Sequence, residues 1–168
     1  MKLTYLLFET EDYVRQGNMF GSFLQDFPEE KQKIINKLNI PEKEKITISK
    51  LIDEKISTFG LKEEYNQVFA VLAGKKPMFF HSFYNGKPTL PSGKLGEAIL
   101  NSLENFNLIT YHKGEQFVMG TPESVKMIIP ELERTNGDYN KMDKQFHYKM
   151  GIALGYPEKD VLDFVKSL

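Results

Sequence analysis

Residues 84–97 read YNGKPTLPSGKLGE. They set three glycines (Gly86, Gly93, Gly96), two lysines (Lys87, Lys94) and Ser92 just ahead of a helical stretch. Backbone N–H groups of such a loop, with the positive end of the following helix, suit a phosphate or another anion. The order is not Gly-x4-Gly-Lys-Ser/Thr, and it is not a dinucleotide fingerprint. A connecting loop stiffened by Pro88 and Pro91 accounts for the same residues.

The other chemistry-bearing residues are sparse. His81, His112 and His147 are the only histidines, and none lies within four residues of another. No local metal pair exists, and no metal site is expected. Ser82, Ser92, Ser102 and Ser124 have no nucleophile-elbow context. Glu97 and Glu104 fall at heptad spacing on one helix face and read as solvated. Phe79, Phe80, Phe83 and Tyr84 could stack on bases, but at helical spacing they read as core. The absence of cysteine excludes disulfides, thiolate zinc sites and cysteine nucleophiles. No catalytic motif is present, so a non-enzymatic protein without a cofactor is expected.

Composition bounds the rest. The chain has 168 residues, 40% hydrophobic with 13 Phe and 8 Tyr, enough for one ordered core. Its net charge of -1 argues against a strongly cationic nucleic-acid binder. The balance is uneven, because residues 65–120 carry five lysines against three glutamates. The start, MKLTYLLFETED, has too short an apolar run for a signal peptide, and no run can span a membrane. The expected compartment is the cytoplasm.

Periodicity places the elements. Lys2 to Thr10 is a short strand or the start of a helix continuing to Phe27. Pro28, Glu29 and Glu30 open a helix with Ile34, Ile35 and Leu38 on its apolar face. A second stripe runs Ile48, Leu51, Ile52, Ile56, Phe59, closed by Gly60. A helix over Lys62–Ala73 buries Tyr65, Val68, Phe69 and Leu72 and ends at Gly74. Pro77 and Gly86 bracket the aromatic run as a short helix; a buried strand is the alternative. Leu95, Ile99, Leu100, Leu103 and Phe106 form the next helical stripe, with Ser92 as N-cap. LITYH and QFVMG alternate as two strands joined at Lys113–Glu115. Thr121, Pro122 and Glu123 cap a further helix, interrupted at Pro130. A terminal helical hairpin has Met142, Phe146, Met150 and Leu154 on one face, and turns at Gly155 and Pro157.

The segment SGKLGEAILNSLENFNLITYHKGEQFVMG, Ser92 to Gly120, resembles a winged helix-turn-helix. The likeness is densest in LGEAILNSLENFNLI, where a recognition helix runs into the first wing strand through Leu-Glu-x-x-x-Leu-Ile. It implies helices at 62–74, 77–85 and 92–106, and a wing at 108–120. It also implies DNA-facing positions at Thr89, Ser92, Lys94, Glu97, Ala98, Asn101 and Ser102, since such a helix offers its N-terminal part to base edges. His112 and Lys113 at the wing, with Lys75, Lys76 and Lys87, would meet phosphates. The only arginines are Arg15 and Arg134, so the commonest base contact is missing from this segment.

The expectation is therefore an α+β fold, predominantly helical. Residues 1–61 form an N-terminal helical extension, 62–121 a winged-helix-like core, and 122–168 a C-terminal helical segment, in one compact domain. The expected function is a small DNA-binding or transcription-regulator-like protein, binding duplex DNA weakly and salt-sensitively through Lys87, Thr89, Ser92, Lys94, Asn101, His112 and Lys113. The alternatives are a protein-interaction module of the same fold, and a ligand binder or enzyme using the 86–96 loop with His81, Tyr84 or His112. A homodimer through 139–168 is a further expected contact; a membrane is not.

Overall fold

A computed structural model describes residues 23–57, 62–82 and 93–168. The fold is α+β and mostly helical, as expected. The first helices are α1 (Phe23–Asp26), α2 (Pro28–Lys37), α3 (Glu42–Ser57) and α4 (Lys62–Leu72). Then come β1 (Met78–Ser82), α5 (Lys94–Leu100), β2 (Ile109–Lys113) and β3 (Gln116–Gly120), and finally α6 (Pro122–Thr135), α7 (Lys144–Ala153) and α8 (Glu158–Ser167). Short 3-10 turns cover Leu103–Phe106 and Tyr139–Lys141. Among the described residues, no helix is long and apolar enough to cross a membrane.

Local chemistry sets the boundaries. Pro28 opens α2 with Glu29 and Glu30 in its first turn, where the helix dipole favours acids. α4 ends in a Schellman turn: Gly74 takes φ +69, the Lys75 N–H donates to the Ala70 carbonyl at 2.8 Å, and the Gly74 N–H to that of Val71 at 3.0 Å. At the start of α6 the Thr121 hydroxyl accepts from the Ser124 N–H at 3.3 Å, with Pro122 in the first turn.

The three strands make an antiparallel sheet in the order β1-β3-β2. His81 pairs with Phe117, which pairs on its other side with His112. Both faces of this sheet are covered. Phe79, Phe117 and Met119 belong to a core shared with α1 to α5. Met78 and Val118 belong to a second core with Val125, Ile128 and Leu132 of α6 and Phe146 and Met150 of α7. Every residue of β3 is buried. The hairpin is thus the middle layer of a three-layer arrangement.

Four expectations are corrected. Residues 78–82 of the expected second helix, 77–85, form a strand, because their backbone pairs along the whole length of β3. The expected third helix, 92–106, is regular only over Lys94–Leu100 and passes through a 3-10 turn. Its N-cap position is Gly93, with no side-chain cap, and Ser92 lies outside the described residues. Leu100, placed in the apolar stripe, is 38% exposed. Pro130 does not interrupt α6; it sits inside the helix on the exposed side, where water can satisfy the carbonyl left without its N–H. The expectations for Lys2–Thr10 and for the closure at Gly60 lie outside the described residues.

Candidate functional site

The site expected from the sequence joins α5 to the β2–β3 hairpin. Lys87, Thr89 and Ser92 lie outside the described residues, as does most of the 86–96 loop. Lys94 and Asn101 are exposed at the two ends of α5, with Glu97 and Leu100 between them. Ala98 and Ser102, expected to face DNA, are buried. The Ser102 hydroxyl donates to the Ala98 carbonyl and accepts from the Asn39 N–H at 2.7 Å, so it ties α5 to the end of α2. This is a correction: an amphipathic helix seven residues long cannot face both its own core and a groove with the same residues.

The hairpin tip is docked against α6. Gly114 and Glu115 form a two-residue turn between paired Lys113 and Gln116, with Gly114 at φ +56. The turn seats on the end of α6, where Asn136 takes a left-handed conformation and Gly137 follows. A Cβ added to Gly114 would stand 2.6 Å from the Asn136 carbonyl oxygen. The Lys113 ammonium reaches Glu133 of α6 at 2.7 Å, and the Tyr111 hydroxyl donates to the same carboxylate. Hydrogen bonds from Lys113 and Tyr111 hold the Glu133 carboxyl below its ordinary pKa, and that carboxylate raises the Tyr111 hydroxyl. His112 is exposed, and its Nε2 lies 2.9 Å from the Gly114 carbonyl oxygen.

Arg134 is similarly committed. Its guanidinium grips both carboxylate oxygens of Asp143 at 2.7 and 3.0 Å and meets Glu131 at 2.7 Å, fastening α6 to the start of α7. Asp143 in turn accepts from the Phe146 N–H at 3.0 Å as the N-cap of α7. Phe146 and Met150, within the 139–168 segment expected to make a homodimer, lie fully buried in the chain's own second core.

The sheet register places His81 and His112 on one face, on either side of Phe117. Two strand spacings, roughly 10 Å, separate their backbones, too far for direct neighbours. Among the described residues no group of three potential ligands could hold a metal ion.

A polar concavity lies elsewhere among the described residues. A cleft of about 360 Å³ opens at the end of α4, lined by residues 71–77, Lys37 and the 106–108 bend, with Thr121. Lys76 contributes to that lining and is only 8% exposed, but the residues its ammonium meets do not line the cleft. Its ammonium donates to the Gln67 Oε1 at 3.0 Å and stands 5.9 Å from the centre of the Tyr156 ring. Burial pulls its pKa down to about 8. Of Lys75 and Lys76, both expected as phosphate contacts, Lys75 is exposed and Lys76 is buried. The signal for it was Gly74-Lys-Lys-Pro77: a helix stop turns one lysine out and the next one in.

No protein family, curated protein or solved structure matches the chain.

Proposed function

We propose that this chain is a non-enzymatic interaction module with a winged-helix-like hairpin, and that its partner is another protein, not DNA. One observation carries this reading. The hairpin tip, the part that would reach phosphates, is seated on α6 with Lys113 neutralised by Glu133. Among the described residues at this tip, Lys113 is the one ammonium, and it is already paired. The burial of Ala98 and Ser102 supports the same reading, since it leaves α5 a narrow outward face with Lys94 offset by Glu97.

Duplex DNA is the second reading. It is favoured by the exposed Lys94 and Asn101 on one short helix, within a segment richer in lysine than glutamate. Contacts of this kind to phosphates give weak affinity that falls steeply with salt.

Fluorescence anisotropy with a random duplex, at low and at near-physiological salt, separates the two. The protein-partner reading expects no binding at either salt. It also expects a partner, captured from cells and then purified, whose calorimetric affinity survives Lys94→Glu. Salt-sensitive DNA binding lost in Lys94→Glu would overturn it in favour of DNA.

A further inference from the structure

β2 is an edge of the sheet, whose order is β1-β3-β2. The register fixes where its backbone groups point. The Thr121 N–H donates to the Pro77 carbonyl at 2.9 Å, so Phe117 and Met119 of β3 turn their hydrogen-bonding groups toward β1. Gln116, Val118 and Gly120 therefore bond Lys113, Tyr111 and Ile109 of β2. Thr110 and His112 are left with N–H and C=O groups directed out of the sheet. Among the described residues no second strand pairs with β2 and no loop backbone bonds either residue. Both side chains are exposed.

Sheets usually blunt such an edge with a proline, a bulge, a charge or a covering element. β2 has no proline, and its register is unbroken from Ile109 to Lys113. Its one lysine, Lys113, is drawn aside to Glu133. An extended polypeptide presents donors and acceptors at the matching two-residue spacing, and every copy of the chain carries one in β2 itself. Antiparallel pairing about a two-fold axis at Tyr111 sets Thr110 opposite His112 of the second copy and satisfies all the outward groups of both residues. The same register sets Tyr111 against Tyr111 of the second copy, in a pair whose side chains approach closely. Lys113 then meets Ile109 of the second copy, so the two ammonium groups stay apart. A register centred on Thr110 or on His112 would leave the other residue facing the bend at Leu108 or the turn at Gly114.

We propose that two copies of this chain join edge to edge through β2, antiparallel about Tyr111, into one continuous sheet. The contact is isologous: each copy gives and receives the same groups, and pairing consumes β2 in both. It also covers Ile109 and Tyr111, which are half-buried at the margin of the second core. It is distinct from a contact through residues 139–168, and it stands whether the partner of the whole chain is another protein or DNA.

The test is hydrogen exchange at the Thr110 and His112 amides, followed by NMR on the full chain at low and high protein concentration, with sedimentation reporting the oligomeric state. Both amides should exchange about tenfold more slowly, or slower still, where sedimentation shows dimer than in the dilute monomer. Thr110→Pro removes an outward N–H at an edge position that accommodates proline, and it should weaken the dimer about tenfold or more. Leu162→Asp, on α8, should leave the dimer intact. A chain that stays monomeric at NMR concentrations would overturn the proposal. So would a dimer whose Thr110 and His112 amides exchange as fast as in the monomer, one that a folded Thr110→Pro leaves intact, or one that Leu162→Asp dissolves. Protection of these amides only after a different protein is added would overturn it in favour of that protein's strand. The wild-type amides decide the matter if Thr110→Pro fails to fold.

Discussion

Lys113 in the hairpin and Glu133 in the last turn of α6 meet at 2.7 Å, which fixes the tip of the sheet to the helix that covers it. The pair is half-exposed and worth little by itself. The backbone contact beside it carries more. Gly137 takes φ +65, and a Cβ there would run into the Lys113 carbonyl. Gly137→Ala should therefore lower stability by about 2 kcal/mol or more, through strain and displacement of the turn. Lys113→Met should cost clearly less. Urea unfolding at neutral pH ranks the two. The Lys113–Glu133 contribution should be present above the ordinary carboxylate pKa and fade as pH falls through the depressed value of Glu133.

Lys76 makes an alkaline prediction. Its pKa is about 8 in the folded chain, against 10.5 when freely solvated. Below pH 8 it is charged in both states, and the full cost of burying the charge is present. Between about 8 and 10.5 the unfolded chain binds more protons, so stability rises with pH. The shift corresponds to about 3 kcal/mol at most. Lys76→Met should be more stable than wild type near neutral pH, and the gap should close by pH 10. A gap that does not change with pH would contradict this account of Lys76.

Phe146 tests the second core. It is fully buried, with its ring 6.4 Å from that of Phe80. Phe146→Ala should cost about 3–5 kcal/mol in denaturant unfolding. Leu162→Ala on the outward side of α8, where Leu162 is 40% exposed, should leave unfolding of the single chain almost unchanged. A dimer through residues 139–168 would have to use such outward residues, and sedimentation of a Leu162→Asp variant checks for it.

His147 adds an acid-side sensitivity. It is half-buried between Phe146 and Phe164, and its Nδ1 has no hydrogen-bond partner. Burial lowers its pKa, with the Asp143 charge opposing in part. The unfolded chain therefore takes up this proton first as pH drops below about 6.5. Stability should fall from there until the folded-state value is passed, and His147→Phe should flatten that part of the curve. Unfolding midpoints from pH 7.5 to 5 measure it.

Much of the helical scaffold was legible from the chain. Ile34, Ile35 and Leu38, then Tyr65, Val68, Phe69 and Leu72, announced their buried faces at helical steps, and Thr121-Pro122 announced a start. Residues 78–82 misled for a physical reason. A strand covered on both faces has no polar alternation, so MFFHS reads as one apolar run that period alone cannot assign. Pro77 then pointed to a helix, while the pairing with β3, about forty positions away, decided for a strand. The candidate site failed likewise on distant contacts. Nothing near Lys113 in the sequence reveals Glu133, and nothing near Lys76 reveals Lys37 or Asn107 across the cleft. Both relationships exist only after the layers are stacked.

The covering of the sheet on both faces also imposes an order of events on a growing chain. Synthesis delivers β1, β2 and β3 before α6 and α7. For the time it takes to make residues 122–154, the face bearing Met78, Phe80 and Val118 has no lid. Nascent segments of this kind are where aggregation begins. The well-capped start of α6, immediately after Gly120, lets the first turn of the lid form as soon as it emerges. A fragment ending at Gly120 would keep that apolar face open permanently, and it should come out of the cell as insoluble material.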